Sequence, residues 1–95
     1  MCIERRNMSK TITATLQKIT RHPSKYGGNF YYLFFKDLED GKTYRSCVSP
    51  SYRNWRNWQE IVEGFDEKTS PTFTGLILKG NLVDADSVPQ KVVNE

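Results

Sequence analysis

Residues 27–48 read GGNFYYLFFKDLEDGKTYRSCV. A ring-rich run and the shorter KTYRSCV flank Asp40-Gly41, a dipeptide that favours a tight β-hairpin because both central positions tolerate positive φ. The first run packs five aromatics into six residues: Phe30, Tyr31, Tyr32, Phe34 and Phe35. Alternate residues of a strand point to opposite faces, so both faces of this strand carry rings. One face can be core, and the other needs a separate explanation.

A two-residue turn at Asp40-Gly41 pairs Glu39 with Lys42. It sets Leu33 opposite Val48, Phe35 opposite Ser46, Phe34 opposite Cys47 and Lys36 opposite Arg45. Cross-strand partners share a face. Tyr31, Leu33, Phe35 and Val48 then form a core face. Tyr32, Phe34, Lys36, Thr43, Arg45 and Cys47 form the solvent face, because burying unpaired Lys36 and Arg45 is costly. A one-residue bulge in the turn would exchange Arg45 for Tyr44 on that face. Tyr32, Phe34 and Lys36 point outward in either register, and Phe30 shares their parity at the mouth of the preceding loop.

Upstream, TITATLQ (residues 11–17) alternates Ile12, Ala14 and Leu16 with Thr and Gln, the pattern of a half-buried strand. RHPSKYGGN (21–29) gathers Pro23, Ser24, Gly27, Gly28 and Asn29 and reads as a loop whose glycines let it fold over a ligand. Residues 1–9 read as a flexible arm, with Met8 offering a second start. Downstream, Ser49-Pro50-Ser51 can open a helix. Tyr52, Trp55, Trp58, Ile61, Val62 and Phe65 then recur at three- and four-residue spacing, an amphipathic helix of about fourteen residues. Its two tryptophans read as core, and Arg53 and Arg56 as a solvated face or an extension of a basic path. TFTGLILKG is a fourth strand, and Lys79-Gly80-Asn81 turns the chain into a fifth, NLVDADSV. Residues 91–95 read as a tail.

The order β-β-β-α-β-β in fewer than a hundred residues predicts an all-β domain with one helix, a five-stranded Greek-key OB-fold barrel over residues 10–90. An SH3-like barrel is the main rival, but it normally lacks a helix of this length here.

The 95 residues suffice for one domain. No apolar run approaches the ~18 residues of a membrane span, and the N-terminus lacks a signal-peptide apolar region, so the expected compartment is the cytoplasm. Cys2, Cys47 and the lone His22 fit no metal or disulfide framework. Asp84 and Asp86 share a strand face, but two carboxylates without further ligands do not make a cation site. No P-loop, GxGxxG or nucleophile elbow is present. The sequence therefore predicts neither enzyme nor cofactor nor metal.

Charge divides the chain. Residues 1–56 hold eleven Lys or Arg against four Asp or Glu, net +7, and residues 57–95 hold three against seven, net −4. The basic half is also the ring-rich half, which suggests an anionic partner. Outward rings among cations suit single-stranded nucleic acid, whose bases stack on aromatic faces while cations follow the phosphates. Tyr32, Phe34, Tyr26 and Phe30 are the candidate stacking residues, with Tyr44 in the alternative register. Lys36, Arg45, Lys25 and Arg21 are the candidate phosphate contacts. A protein-binding module, as a subunit interface or an inhibitor of a host factor, is the competing class. Lys36 beside Arg45 disfavours it, because charge is depleted in interface cores. Stacking alone does not separate DNA from RNA, and the sequence leaves homo-oligomerisation open.

The strand order, the aromatic-basic second and third strands and the closing ILKGNLVDADS hairpin together resemble small single-domain OB-fold single-stranded DNA-binding proteins of bacteriophages and mobile elements. The resemblance implies a sequence-tolerant coat for DNA in replication or recombination, acting in the host cytoplasm if the source is viral. Many such proteins carry an acidic tail that recruits partners. This chain ends PQKVVNE, with one Lys and one Glu, so tail-mediated recruitment is not expected.

Overall fold

Apolar alternation and turn chemistry build six strands and one short helix in residues 10–93, the part of the chain that the computed structural model describes. The expected N-terminal arm, residues 1–9, lies outside the described residues. The strands are β1 (Lys10–Pro23), β2 (Asn29–Asp37), β3 (Thr43–Val48), β4 (Thr72–Lys79), β5 (Leu82–Val83) and β6 (Gln90–Lys91); the helix is α1 (Gln59–Gly64). The fold is mostly β. Neighbours run β1-β2-β3-β5-β4, and β4 pairs back onto β1, closing a ring of five strands with β6 on the outer edge of β4. The β3–β5 closure is parallel and spans one ladder step, Arg45 opposite Leu82. Among the described residues no helix is long and apolar enough to cross a membrane.

β1 is the strand that makes the ring possible. Its first half, Lys10–Thr15, pairs with β4, and its second half, through Pro23, pairs with β2. Two irregularities let it serve both. Gln17 is an extra residue between Leu16 opposite Phe35 and Lys18 opposite Phe34, and such a bulge bends a strand and sharpens its twist. On β4 the register slips between Ile12 opposite Leu76 and Ala14 opposite Phe73. Gly75 sits in that slip at φ +80, a conformation that strains any side-chain-bearing residue, and a Cβ there would lie 2.9 Å from the Val88 carbonyl oxygen.

The core is drawn from the expected alternation. Ile12, Ala14, Leu16, Leu33, Phe35, Val48, Phe73, Leu76 and Val83 are buried around the Trp58 indole. Phe35 packs edge-on to Phe73, with ring centroids 6.3 Å apart.

Four elements depart from the sequence reading. The β2–β3 turn is four residues, Leu38–Gly41, closed by the Asp37 N–H donating to the Lys42 carbonyl (2.9 Å) and the Gly41 N–H donating to the Asp37 carbonyl (2.9 Å). Only Gly41 takes positive φ; Asp40 instead uses its carboxylate to accept the Lys42 N–H at 2.8 Å. Tyr31 therefore faces Val48 and Phe35 faces Tyr44, a shift of two residues, which preserves parity. Both expected face sets stand, and the alternative that turned Tyr44 outward does not occur.

The loop expected at 21–29 is shortened by strand at both ends. β1 runs to Pro23, and only Ser24–Gly28 turns. Gly27 at φ +98 and Gly28 at φ +73 close this turn, with the Ser24 N–H donating to the Gly28 carbonyl at 3.0 Å. The glycines are thus the residues that form this turn.

The long helix is replaced by i→i+3 turns through residues 49–58, a 3₁₀ turn at Trp55–Asn57 and the six residues of α1. Tertiary bonds override the helical pattern here. The Trp58 indole N–H donates to the Ala85 carbonyl at 2.9 Å, Asn54 bonds Asp86, and the Asn57 amide reaches the Ser87 carbonyl at 3.4 Å.

Finally, β5 stops at Val83. Asp84 accepts the Asp86 N–H on its own carboxylate (3.0 Å), an Asx turn that diverts the chain. The Asp84 carboxylate also meets the Lys79 ammonium at 2.9 Å, and the Asp86 carboxylate accepts from the Asn54 amide. Lys91, expected in the tail, belongs to β6 opposite Phe73.

Candidate nucleic-acid interface

The bulge at Gln17 reverses the parity of β1. Before it, Ile12, Ala14 and Leu16 point inward; after it, Ile19 packs against the core and Lys18, Thr20 and His22 point out. The outer face of β1, β2 and β3 becomes a set of cross-strand rows. Thr15, Lys36 and Thr43 form one row, Lys18, Phe34 and Arg45 the next, and Thr20, Tyr32 and Cys47 the third; His22 and Phe30 complete the tip.

Phe30, Tyr32 and Phe34 make a continuous ladder of half-buried rings. Phe30 and Tyr32 meet edge to face at 5.3 Å, and Tyr32 and Phe34 at 6.4 Å. His22 extends it, stacked on Phe30 at 5.3 Å and fixed by a 2.8 Å hydrogen bond between its Nε2 and the Thr20 hydroxyl. Cations lie on the rings: the Lys18 ammonium is 5.0 Å from the Phe34 centroid, and the Arg45 guanidinium carbon is 4.3 Å from the Tyr32 centroid. Such contacts hold rings and charges together on a solvated face. Lys36 is exposed at the Thr15–Thr43 end.

The ladder ends in two grooves. One, of about 290 Å³, lies between Phe34, Arg45 and the Asn81-Leu82 corner. The other, of about 450 Å³, is framed by Tyr26 and Gly27 of the β1–β2 turn, Phe30, Tyr32 and Cys47 of the sheet, and Tyr52 beyond β3. The free Cys47 thiol sits beside the Tyr52 phenol and, with burial, holds its pKa above the ordinary value.

Of the residues expected at the site, Tyr32, Phe34, Lys36, Arg45 and Phe30 share the outer face, and Tyr26, 90% exposed, stands at its tip. Lys25 is exposed in the same turn. Two do not belong to the ladder. Arg21 pairs with Tyr31 and so faces the other way. Tyr44 pairs with core Phe35, packs partly against the core and donates its hydroxyl to the Asp40 carboxylate at 2.7 Å. That bond raises the Tyr44 pKa, while the Lys42 N–H, with Tyr44 second, lowers that of Asp40.

Lys18, Thr20 and Tyr52 were absent from the sequence reading of the site. The signal for the first two was present: the apolar positions of β1 run 12, 14, 16 and then 19, and one extra residue in the strand is the simplest cause of that break. Tyr52 was assigned to a helix face that does not form; it is 45% exposed.

Searches of protein-family models, of curated proteins and of solved structures find no match to this chain.

Proposed function

We propose that the chain is an OB-fold protein that binds single-stranded DNA with little regard to sequence, in replication or recombination. The observation that carries this reading is the Lys18–Phe34–Arg45 row beside the Phe30–Tyr32–Phe34 ladder: half-buried rings on the outer face of the sheet, with cations within reach on both flanking strands. The ring order β1-β2-β3-β5-β4 with a helix between β3 and β4 supports the OB assignment. In that fold strands 2 and 3 and the loops between strands 1 and 2 and between strands 4 and 5 form the ligand surface. Here the corresponding loops frame the two grooves.

The mechanism follows from the contacts. Without ligand, Lys18 and Arg45 lie on ring faces. An incoming base takes a ring face at ~1–3 kcal/mol per stacked base. The displaced cations then meet the flanking phosphates, releasing counterions. A duplex presents its bases already stacked on one another, so it gains only the charge term.

Titration against fluorescent oligo-dT, with duplex DNA and matched RNA as controls, tests the reading. Tight binding to the single strand and weak binding to the duplex are expected, with a log–log salt slope of about −2 to −3 for three to four neutralised phosphates. Equal affinity for duplex would contradict the single-strand mechanism, and no binding at low salt together with a stable protein complex on a sizing column would favour the protein-binding class.

A further inference from the structure

The two ends of the ring ladder differ in chemistry. At the Phe34 end Lys18 and Lys36 gather, with Arg45 reaching from the Phe34 row onto the Tyr32 ring, and charge dominates. At the Phe30 end the 450 Å³ groove is lined by Ser24, Tyr26, Gly27, Phe30, Tyr32, Cys47, Ser49, Ser51 and Tyr52, with no charged side chain among them. Its walls are ring faces, and its polar groups are neutral hydroxyls and one thiol. The hydroxyls are held in place: Ser49 bonds the Ser51 hydroxyl at 2.9 Å and accepts the Ser51 N–H at 3.2 Å, and the Ser24 hydroxyl accepts the Tyr26 N–H at 3.2 Å.

A neutral pocket with rings and fixed hydroxyls is poorly matched to a phosphate, which seeks cations. It matches the edge of an unpaired base, which offers neutral donors and acceptors around a flat apolar body. Its volume falls within the range of roughly 300–1,000 Å³ typical of small-ligand sites. Ser and Tyr hydroxyls both donate and accept; the Ser51 hydroxyl is placed by its bond to Ser49, so it offers its remaining hydrogen-bonding capacity from a fixed point against which base edges differ.

Resting on the single-strand reading above, we infer that this groove is a base-reading subsite: one nucleobase at one end of the bound strand enters between Tyr26 and Tyr52 and is read by the Ser51 and Tyr52 hydroxyls. The ladder then holds the remaining bases indifferently. The protein is sequence-tolerant along most of its site and selective at one end of it.

The test uses oligo-dT strands of about nine nucleotides, inside the ~4–16 nucleotide span of one OB domain. Each position in turn is changed to dA, dC or dG, and each strand is titrated by fluorescence anisotropy. A preference of about two- to tenfold, the size of one or two neutral hydrogen bonds, is expected at a single near-terminal position and nowhere else. Tyr52→Phe keeps the ring and removes the hydroxyl, and Ser51→Ala removes the other; both side chains are exposed, so folding is not at stake. Each variant should keep its affinity for the least favoured strand and lose the preference. Tight binding with no preference at any position, or a preference that survives both variants, overturns the subsite and leaves the single-strand reading intact. Absence of binding to every strand overturns both.

Discussion

Lys18 stands directly opposite Phe34 across the β1–β2 ladder, with its ammonium 5.0 Å from the ring centroid. The contact exists only because Gln17 bulges. Without that extra residue Lys18 would share the parity of Ile12 and Leu16 and point at the core. Lys18→Ala should therefore weaken oligo-dT binding at low salt and make the log–log salt slope shallower by about 0.7, the share of one phosphate contact on a single strand. Because Lys18 is exposed, its thermal midpoint should stay near wild type. A salt series on both proteins checks this.

Gly75→Ala should destabilise without touching the proposed interface. The substitution forces a side chain into φ +80 and sets a Cβ 2.9 Å from the Val88 carbonyl oxygen, which is backbone and cannot swing aside. A cost of about 1–3 kcal/mol is expected for left-handed strain of this kind. Urea unfolding measures it, and oligo-dT affinity under folding conditions should be unchanged.

Trp58→Phe tests the account of why the long helix does not form. Trp58 is fully buried, and its indole N–H satisfies the Ala85 carbonyl at 2.9 Å. Phenylalanine leaves that acceptor unpaired at roughly 1–3 kcal/mol and adds the cost of the vacated volume. Trp55→Phe should cost less, because Trp55 is only half-buried and its stacking on Tyr31 at 5.9 Å is retained by a smaller ring.

Asp84 gives the acid limb of stability a specific source. The Asp86 N–H and then the Lys79 ammonium stabilise its charged form and lower its pKa, so folding gains from the ionised carboxylate. That gain is complete above the unfolded carboxylate value near ~3.9 and is lost as pH falls through the lower folded value. The partner shift runs the other way: Asp84 raises the Lys79 pKa, so the lysine's contribution fades only as pH rises above its own range. Asp84→Asn should be less stable than wild type at neutral pH, with the gap narrowing below about pH 4. Urea midpoints across pH 2.5–7 read it.

The faces of β2 and β3 were legible from the sequence even though their turn was not. A four-residue loop in place of a two-residue one moves the register by an even number, and parity depends only on odd shifts. Tyr32, Phe34, Lys36 and Arg45 were therefore placed on the right face through the wrong partners. β1 failed the other way. Its alternation is clear, yet the break between Leu16 and Ile19 marks the bulge that turns Lys18 and Thr20 outward and Arg21 away from the ring ladder. The helix failed for a tertiary reason that periodicity cannot reveal. Asn54, Asn57 and Trp58 spend their polar groups on the 84–87 turn, and that turn is itself concealed inside an alternating Leu-Val-Asp-Ala-Asp-Ser run.

Stacking by Tyr32 and Phe34, as opposed to packing alone, is read most directly by the oligo-dT affinity of the Tyr32→Ala/Phe34→Ala double variant beside wild type. Two lost stacks at ~1–3 kcal/mol each predict a weakening of about thirtyfold or more, with the far-ultraviolet circular dichroism of the folded sheet retained. Wild-type affinity in a folded double variant would contradict the account.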